Sequence, residues 1–205
     1  MKTQDLQQIA AGFTHEAFGS QAVFRAALDA MSHPGRPWPM PTDCALPRHG
    51  QPAAAALLLG LLDADTRLWL SPVLARSDAA PWLRFHTGCH IVTEASDANF
   101  VWVALGDALP ALASLRLGTD AYPDQSATCV VETLAIHADV AGWTLQGPGI
   151  QDHRHLQVTG LTPDFTQAWE RNHSSFPRGV DVFLTTPTHV VGLPRTTRIL
   201  NTQEA

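Results

Sequence analysis

Lysine is nearly absent from this chain of 205 residues. Of its 13 basic residues only Lys2 is a lysine; the rest are arginines. Lys2 lies in a terminus expected to fray, so a mechanism needing an internal lysine, as a Schiff base or a phosphate-loop cation, is closed to the protein. Cysteine is scarce as well. Cys44, Cys89 and Cys129 are odd in number, far apart and without metal-ligand spacing, which excludes a disulfide framework and leaves buried reduced thiols. Positive charge is not in excess. The net charge of −6 argues against nucleic acid or an anionic membrane as the main partner. Long apolar runs are missing, since the longest, Ala53 to Leu62, is half of the roughly 20 residues a membrane span needs. Met1-Lys2-Thr3-Gln4-Asp5 has none of the regions of a signal peptide, and a soluble, cytoplasmic protein is expected. No Gly-x-Gly-x-x-Gly, phosphate loop or Gly-x-Ser-x-Gly is present, so no cofactor is indicated.

What is there suffices for one substantial core, and residues 1–205 are expected to form a single domain. Gln21 to Met31 is predicted to be a helix presenting Phe24, Leu28 and Met31 on one face, stopped by Ser32-His33-Pro34-Gly35. Six prolines between residues 34 and 52 predict an extended meander. Ala53 to Leu62, apolar all round, predicts a buried helix on a sheet. Arg67 to Leu70 and Phe100 to Leu105 predict strands, the second covered on both faces. Asp78 to Phe85 and Leu109 to Leu117 predict helices. Thr128 to Ile136 and Trp143 to Gln146 predict an antiparallel pair turning at Asp139 to Gly142. A half-exposed strand at His155 to Thr159, a helix from Pro163 to Asn172, and short strands at Val180 to Leu184 and His189 to Val191 follow. Interleaved helices and hairpin-like strands imply an α/β fold with a mixed sheet and flanking helices.

Several segments carry the residue types of a site. His86-Thr87-Gly88-Cys89-His90 supplies at most three metal ligands, so no metal is assigned. A glycine turn is the first reading, and a Cys89 thiolate with His86 as base is the second. His153 and His155 share a strand face and read as a polar surface end. Gly147-Pro148-Gly149-Ile150 must turn the chain sharply, with a structural duty placed ahead of anion binding. The dispersed tryptophans, Trp38 to Trp169, read as core and interface packing. The arginines are the leading candidates. Arg36, Arg178, Arg195 and Arg198, with Thr196 and Thr197, lie in irregular segments where a guanidinium can grip phosphate or carboxylate bidentately. Ion pairs with the chain's own acids, Asp181 first, or contacts to a protein partner are the competing reading.

The ordered set Phe24 to Arg36, His86-Thr87-Gly88-Cys89, Gly147-Pro148-Gly149-Ile150, Phe176-Pro177-Arg178-Gly179-Val180-Asp181 and Leu193-Pro194-Arg195-Thr196-Thr197-Arg198 resembles the H subunit of the bacterial carbon–phosphorus lyase system, over residues 18 to 200. The resemblance implies a fold similar to pyridoxal-phosphate-dependent transferases without their cofactor lysine, and a homodimer when isolated. It also implies assembly with the G, I and J subunits, and support of a transfer in which an alkylphosphonate displaces adenine from the ribose of ATP. A subunit of that kind is not expected to be catalytic alone. The contrasting expectation is an independent hydrolase or transferase using Cys89 or a His/Asp pair.

Overall fold

The computed structural model describes residues 11–200. In chain order the strands are β1 (Gly12–Phe13), β2 (Trp38–Pro39), β3 (Cys44–Ala45), β4 (Arg67–Leu70), β5 (His90–Ile91), β6 (Phe100–Val103), β7 (Thr128–Glu132), β8 (Ala135–Gln146), β9 (Arg154–Thr159), β10 (Asp181–Thr185), β11 (His189–Leu193) and β12 (Arg198–Leu200). The helices are α1 (Glu16–Ser32), α2 (Pro52–Leu61), α3 (Pro72–Ala75), α4 (Ala79–Thr87) and α5 (Phe165–Ser174).

Seven strands make the main sheet in the order β2-β11-β10-β7-β6-β4-β5. From β10 through β5 every pairing is parallel, while β11 pairs antiparallel with both β10 and β2, so the sheet is mixed as expected. Side chains alternate across a strand, and here each face feeds its own core. Trp102, Val130, Phe183 and Val190 point into one with α1, α2 and α4. Val101, Val103, Cys129, Val131, Val182 and Leu184 point into the other, covered by α5 and a three-stranded antiparallel sheet, β12-β8-β9.

The helix over Ala53 to Leu62 forms with Pro52 in its first turn, and Ala53 through Leu58 are essentially inaccessible. Leu57 and Leu58 each contribute about 1.5–3 kcal/mol by that burial. α1 also forms, but its predicted face is wrong. Phe24 and Leu28 are about half exposed, and the buried residues are Val23, Ala26, Ala27 and Ala30. The cause is close approach. A Cβ on Gly192 of β11 would stand 2.4 Å from the Ala30 carbonyl oxygen, and one on Gly60 of α2 2.7 Å from Val23 Cγ1. Only small side chains fit such a seam, so the large ones face outward.

Two further expectations are corrected. Leu109 to Leu117 is not an α-helix; only Leu112–Ser114 makes a 3₁₀ turn. Pro110 disfavours helical backbone at Leu109, and Leu112 and Leu115, three apart, both reach the second core. The residues from Thr128 to Gln146 are not a hairpin. β7 ends in the main sheet at Glu132, and β8 runs through the supposed turn in the small sheet. Asp139 (φ +59°) and Gly142 lie in a bulge, because Ala138 and Trp143 both stand opposite Leu156. β12 was not foreseen. Among the described residues no helix is long and apolar enough to cross a membrane.

Candidate functional site

Four of the five motifs singled out in the sequence meet in one seam. The Gly147–Ile150 turn packs on the end of α1, where a Cβ on Gly149 (φ +84°) would fall within 2.8 Å of Pro34 Cδ and closer still to the Ser32 carbonyl. Gly147 has the same close relation to the Thr196 carbonyl oxygen, at 2.8 Å. The Gly35 amide donates to the Gly192 carbonyl (3.2 Å), and Trp169 Nε1 donates to the Thr197 carbonyl (2.8 Å). The fifth motif stands apart. Gly88 closes α4 in the left-handed conformation (φ +75°), as the structural-turn reading requires.

Arg195 holds the other end of the seam. Its side chain is 11% exposed. Nε donates to Asp181 Oδ1 (3.2 Å) and Nη2 to Asp181 Oδ2 (2.6 Å) and to Ser126 Oγ. Nη1 donates to the carbonyls of Pro123 (2.8 Å) and Pro177 (3.3 Å). A guanidinium has five N–H donors, and these bonds engage all five. The reading of Arg195 as a grip for an anionic ligand therefore gives way to the competing one, an internal ion pair with Asp181. A compensating carboxylate and three further oxygens are what permit a guanidinium so deep in the fold.

The remaining candidates are scattered. Arg178 is 51% exposed and pairs with Asp120 at 3.3 Å. Arg36 is exposed and stacks over Trp38 at 4.6 Å. Arg198 is exposed on β12. Thr196 lines a cleft with Arg195, whereas Thr197 is buried and its Oγ1 has no hydrogen-bond partner among the described residues. Thr197 thus offers a ligand no accessible hydroxyl. His86 packs edge-on against Trp82 and Phe85, with ring centroids 5.1 and 5.0 Å away. Cys89 is 1% exposed, and burial pushes its thiol up despite the nearby Thr87 hydroxyl and Arg84. A thiol held protonated and covered is a poor nucleophile, which counts against the thiolate reading. Among the described residues no three His, Cys, Asp or Glu side chains are placed to hold a metal ion.

A polar cluster that sequence reasoning missed lies at the carboxyl ends of the parallel strands, where open α/β sheets place their ligands. Glu132, 4% exposed at the end of β7, accepts from the Gln51 amide (2.6 Å), Trp102 Nε1 (3.0 Å) and the Leu105 amide (3.0 Å). Gln51 reaches on to the Thr133 carbonyl (2.8 Å) and the Thr185 hydroxyl (3.0 Å). Buried Ser71, just after β4, accepts from the Ala104 amide (3.0 Å). A cavity of about 20 Å³ lies beside Glu132, room for one water. The available signal was a lone acid closing an interior apolar strand, Thr128 to Glu132. Two exposed His–Asp contacts are also present, His49–Asp78 (2.8 Å) and His153–Asp152 (3.2 Å). Burial raises Asp78, but the Arg48 amide and the His49 ring outweigh it and hold the carboxyl below its usual range.

Comparison with known proteins gives the family. The family model described as bacterial phosphonate metabolism protein (PhnH) matches residues 11–200. The chain is 37% identical over 199 residues to the alpha-D-ribose 1-methylphosphonate 5-triphosphate synthase subunit PhnH of Rhizobium meliloti (strain 1021), covering 96% of this chain and 98% of that one. It is 33% identical over 179 residues to a putative C-P lyase subunit protein, HtxG, of Stutzerimonas stutzeri, covering 87% and 85%.

Proposed function

The chain belongs to the PhnH family of bacterial phosphonate metabolism proteins, and on that premise we propose that it is a non-autonomous subunit of a carbon–phosphorus lyase complex. The reaction it supports joins an alkylphosphonate to the ribose of ATP. A phosphonate oxygen bonds to C1′ as the C1′–N bond to adenine breaks, and adenine leaves with a proton. The observation that carries this reading is the full-length relation, 96% of this chain against 98% of a named subunit of the synthase. Cys89 is covered and its thiol pushed up, which counts against the alternative of an independent hydrolase built on that residue.

The finer parts of the proposal are these. Residues 1–205 form one domain, related in build to pyridoxal-phosphate-dependent transferases but holding no cofactor, since the sole lysine is Lys2, outside the described residues. The chain works in the cytoplasm with G, I and J subunits and forms a homodimer when isolated. Arg36, Arg178, Arg198 and Thr196 are its accessible contacts for a ligand or partner. The test is deletion and complementation with an alkylphosphonate as sole phosphorus source, combined with purification of the tagged chain. Growth is expected to require the chain, and the other subunits to come with it. Normal growth of the deletion strain, or hydrolysis by the purified chain alone, would overturn the reading.

A further inference from the structure

The loop 118–125, the bend 176–179 and the bend 194–196 border an open cleft of about 340 Å³ at the amino ends of β7 and β10. Its walls are Pro123, Asp124, Phe176, Pro177, Pro194 and Thr196, and the Arg195–Asp181 pair is its floor. The walls are held in place. Arg195 ties the carbonyls of Pro123 and Pro177 together. The Gly179 amide donates to the Leu117 carbonyl (2.9 Å), and the loop closes on itself through Tyr122 N–H to Thr119 Oγ1 (2.9 Å). Yet Phe176 and Tyr122 are each 60% exposed. Large aromatic side chains on a fixed backbone and beside an arginine are the composition of binding hot spots, and a rigid surface loses little entropy on docking. The charge is also defined. Arg195 and Asp181 neutralise each other, Arg178 answers Asp120, and Asp124 has no ion pair among the described residues.

We propose that this cleft is a docking site for a partner polypeptide that inserts an apolar side chain between Phe176 and the prolines and sets an arginine or lysine against Asp124. The proposal rests on the reading of the chain as a subunit of a complex, and the partner is a polypeptide of that complex. A second copy of the chain does not fit as well, because it would bring Asp120 and Asp124 towards a surface that is itself acidic overall, with net charge −6.

The test is titration of the tagged full-length chain with the remainder of the complex, purified from cells expressing the other subunits. Wild type is compared with Phe176→Asp, Asp124→Arg and, as a control on the exposed bulge of β8, Val140→Asp. Phe176→Asp and Asp124→Arg are expected to weaken binding at least tenfold while melting like wild type, and the Asp124→Arg loss should shrink at high salt. Val140→Asp is expected to bind normally. If wild type does not bind, the subunit reading fails and the docking site with it. If wild type binds and both cleft variants bind equally well, the docking site alone is overturned. Loss of homodimer mass in Phe176→Asp with unchanged binding would give the cleft to a second copy and equally overturn the proposal. Asp124→Arg keeps the test decisive should Phe176→Asp disturb folding.

Discussion

Arg178 and Arg195 each follow a proline, and their sequence settings look alike, yet the fold gives them opposite work. Arg195→Ala would strand Asp181, the Ser126 hydroxyl and two carbonyls in a largely covered site. Removing one partner of such a pair costs about 3–5 kcal/mol. Denaturant melts should show that loss, and Arg195→Lys should recover little of it, since an ammonium has three donors where five are needed. Arg178→Ala should stay within about 1 kcal/mol of wild type, as exposed pairs do. The thiols give a second residue-level expectation. Burial, with Asp181 nearby, pushes Cys129 up from its ordinary 9.0 to about 12, and burial with Asp43 takes Cys44 to about 11. Held protonated in the fold, these thiols contribute stability that is full below the unfolded thiol pKa and lost as pH rises from about 9 towards the folded values. The protein should melt at a lower temperature at pH 10 than at pH 8. A thiol reagent at pH 8 should react sluggishly with native protein and fully with all three cysteines in guanidinium; fast native labelling of Cys89 or Cys129 would contradict the burial. The sequence could point to arginine, but not to which guanidinium would find a carboxylate, because Asp181 and Arg195 meet only through the β10–β11 pairing.

Among the elements, legibility followed the range of the forces involved. α2 was plain because a run apolar on every side admits only burial, and the Arg67–Leu70 strand matched to the residue. α1 was found but turned the wrong way, since the hydrophobic period shows that a helix is amphipathic and says nothing about how closely a neighbour approaches. Gly60 and Gly192, which set that approach, lie on other elements. β12 pairs with β8 from far along the chain, and no local pattern announces it, while β8 was read in two pieces because its bulge at Asp139 to Gly142 has the composition of a turn. The outward stripe of α1 carries its own prediction. Phe24 and Leu28, with Phe18 at 75% exposure, form an outward apolar stripe of the kind that self-association covers. Light scattering of the isolated protein should give about twice 22.2 kDa, and Phe24→Asp with Leu28→Asp should return it to one chain without changing its unfolding slope. A wild-type mass near 22.2 kDa would remove the homodimer.

Seen whole, the α/β class and mixed sheet were readable from the interleaving of elements, while the small second sheet was not. The contact between α1 and β11 has a consequence for how the molecule comes into being. The Ala30 carbonyl faces Gly192, and Gly35 is hydrogen-bonded to that same residue, so α1, early in the chain, is seated on β11, late in it. Bacterial ribosomes add roughly 5–20 residues per second, so α1 and the wholly apolar α2 wait on the order of ten seconds or more for their platform. Arg195, which closes the loops around the cleft, emerges later still. A chain halted before Arg195 would carry a finished sheet centre with neither its clasp nor its docking face. Completion of the docking face, and with it entry into any larger particle, is timed by the synthesis of residues 194–196 rather than by the sheet that carries them.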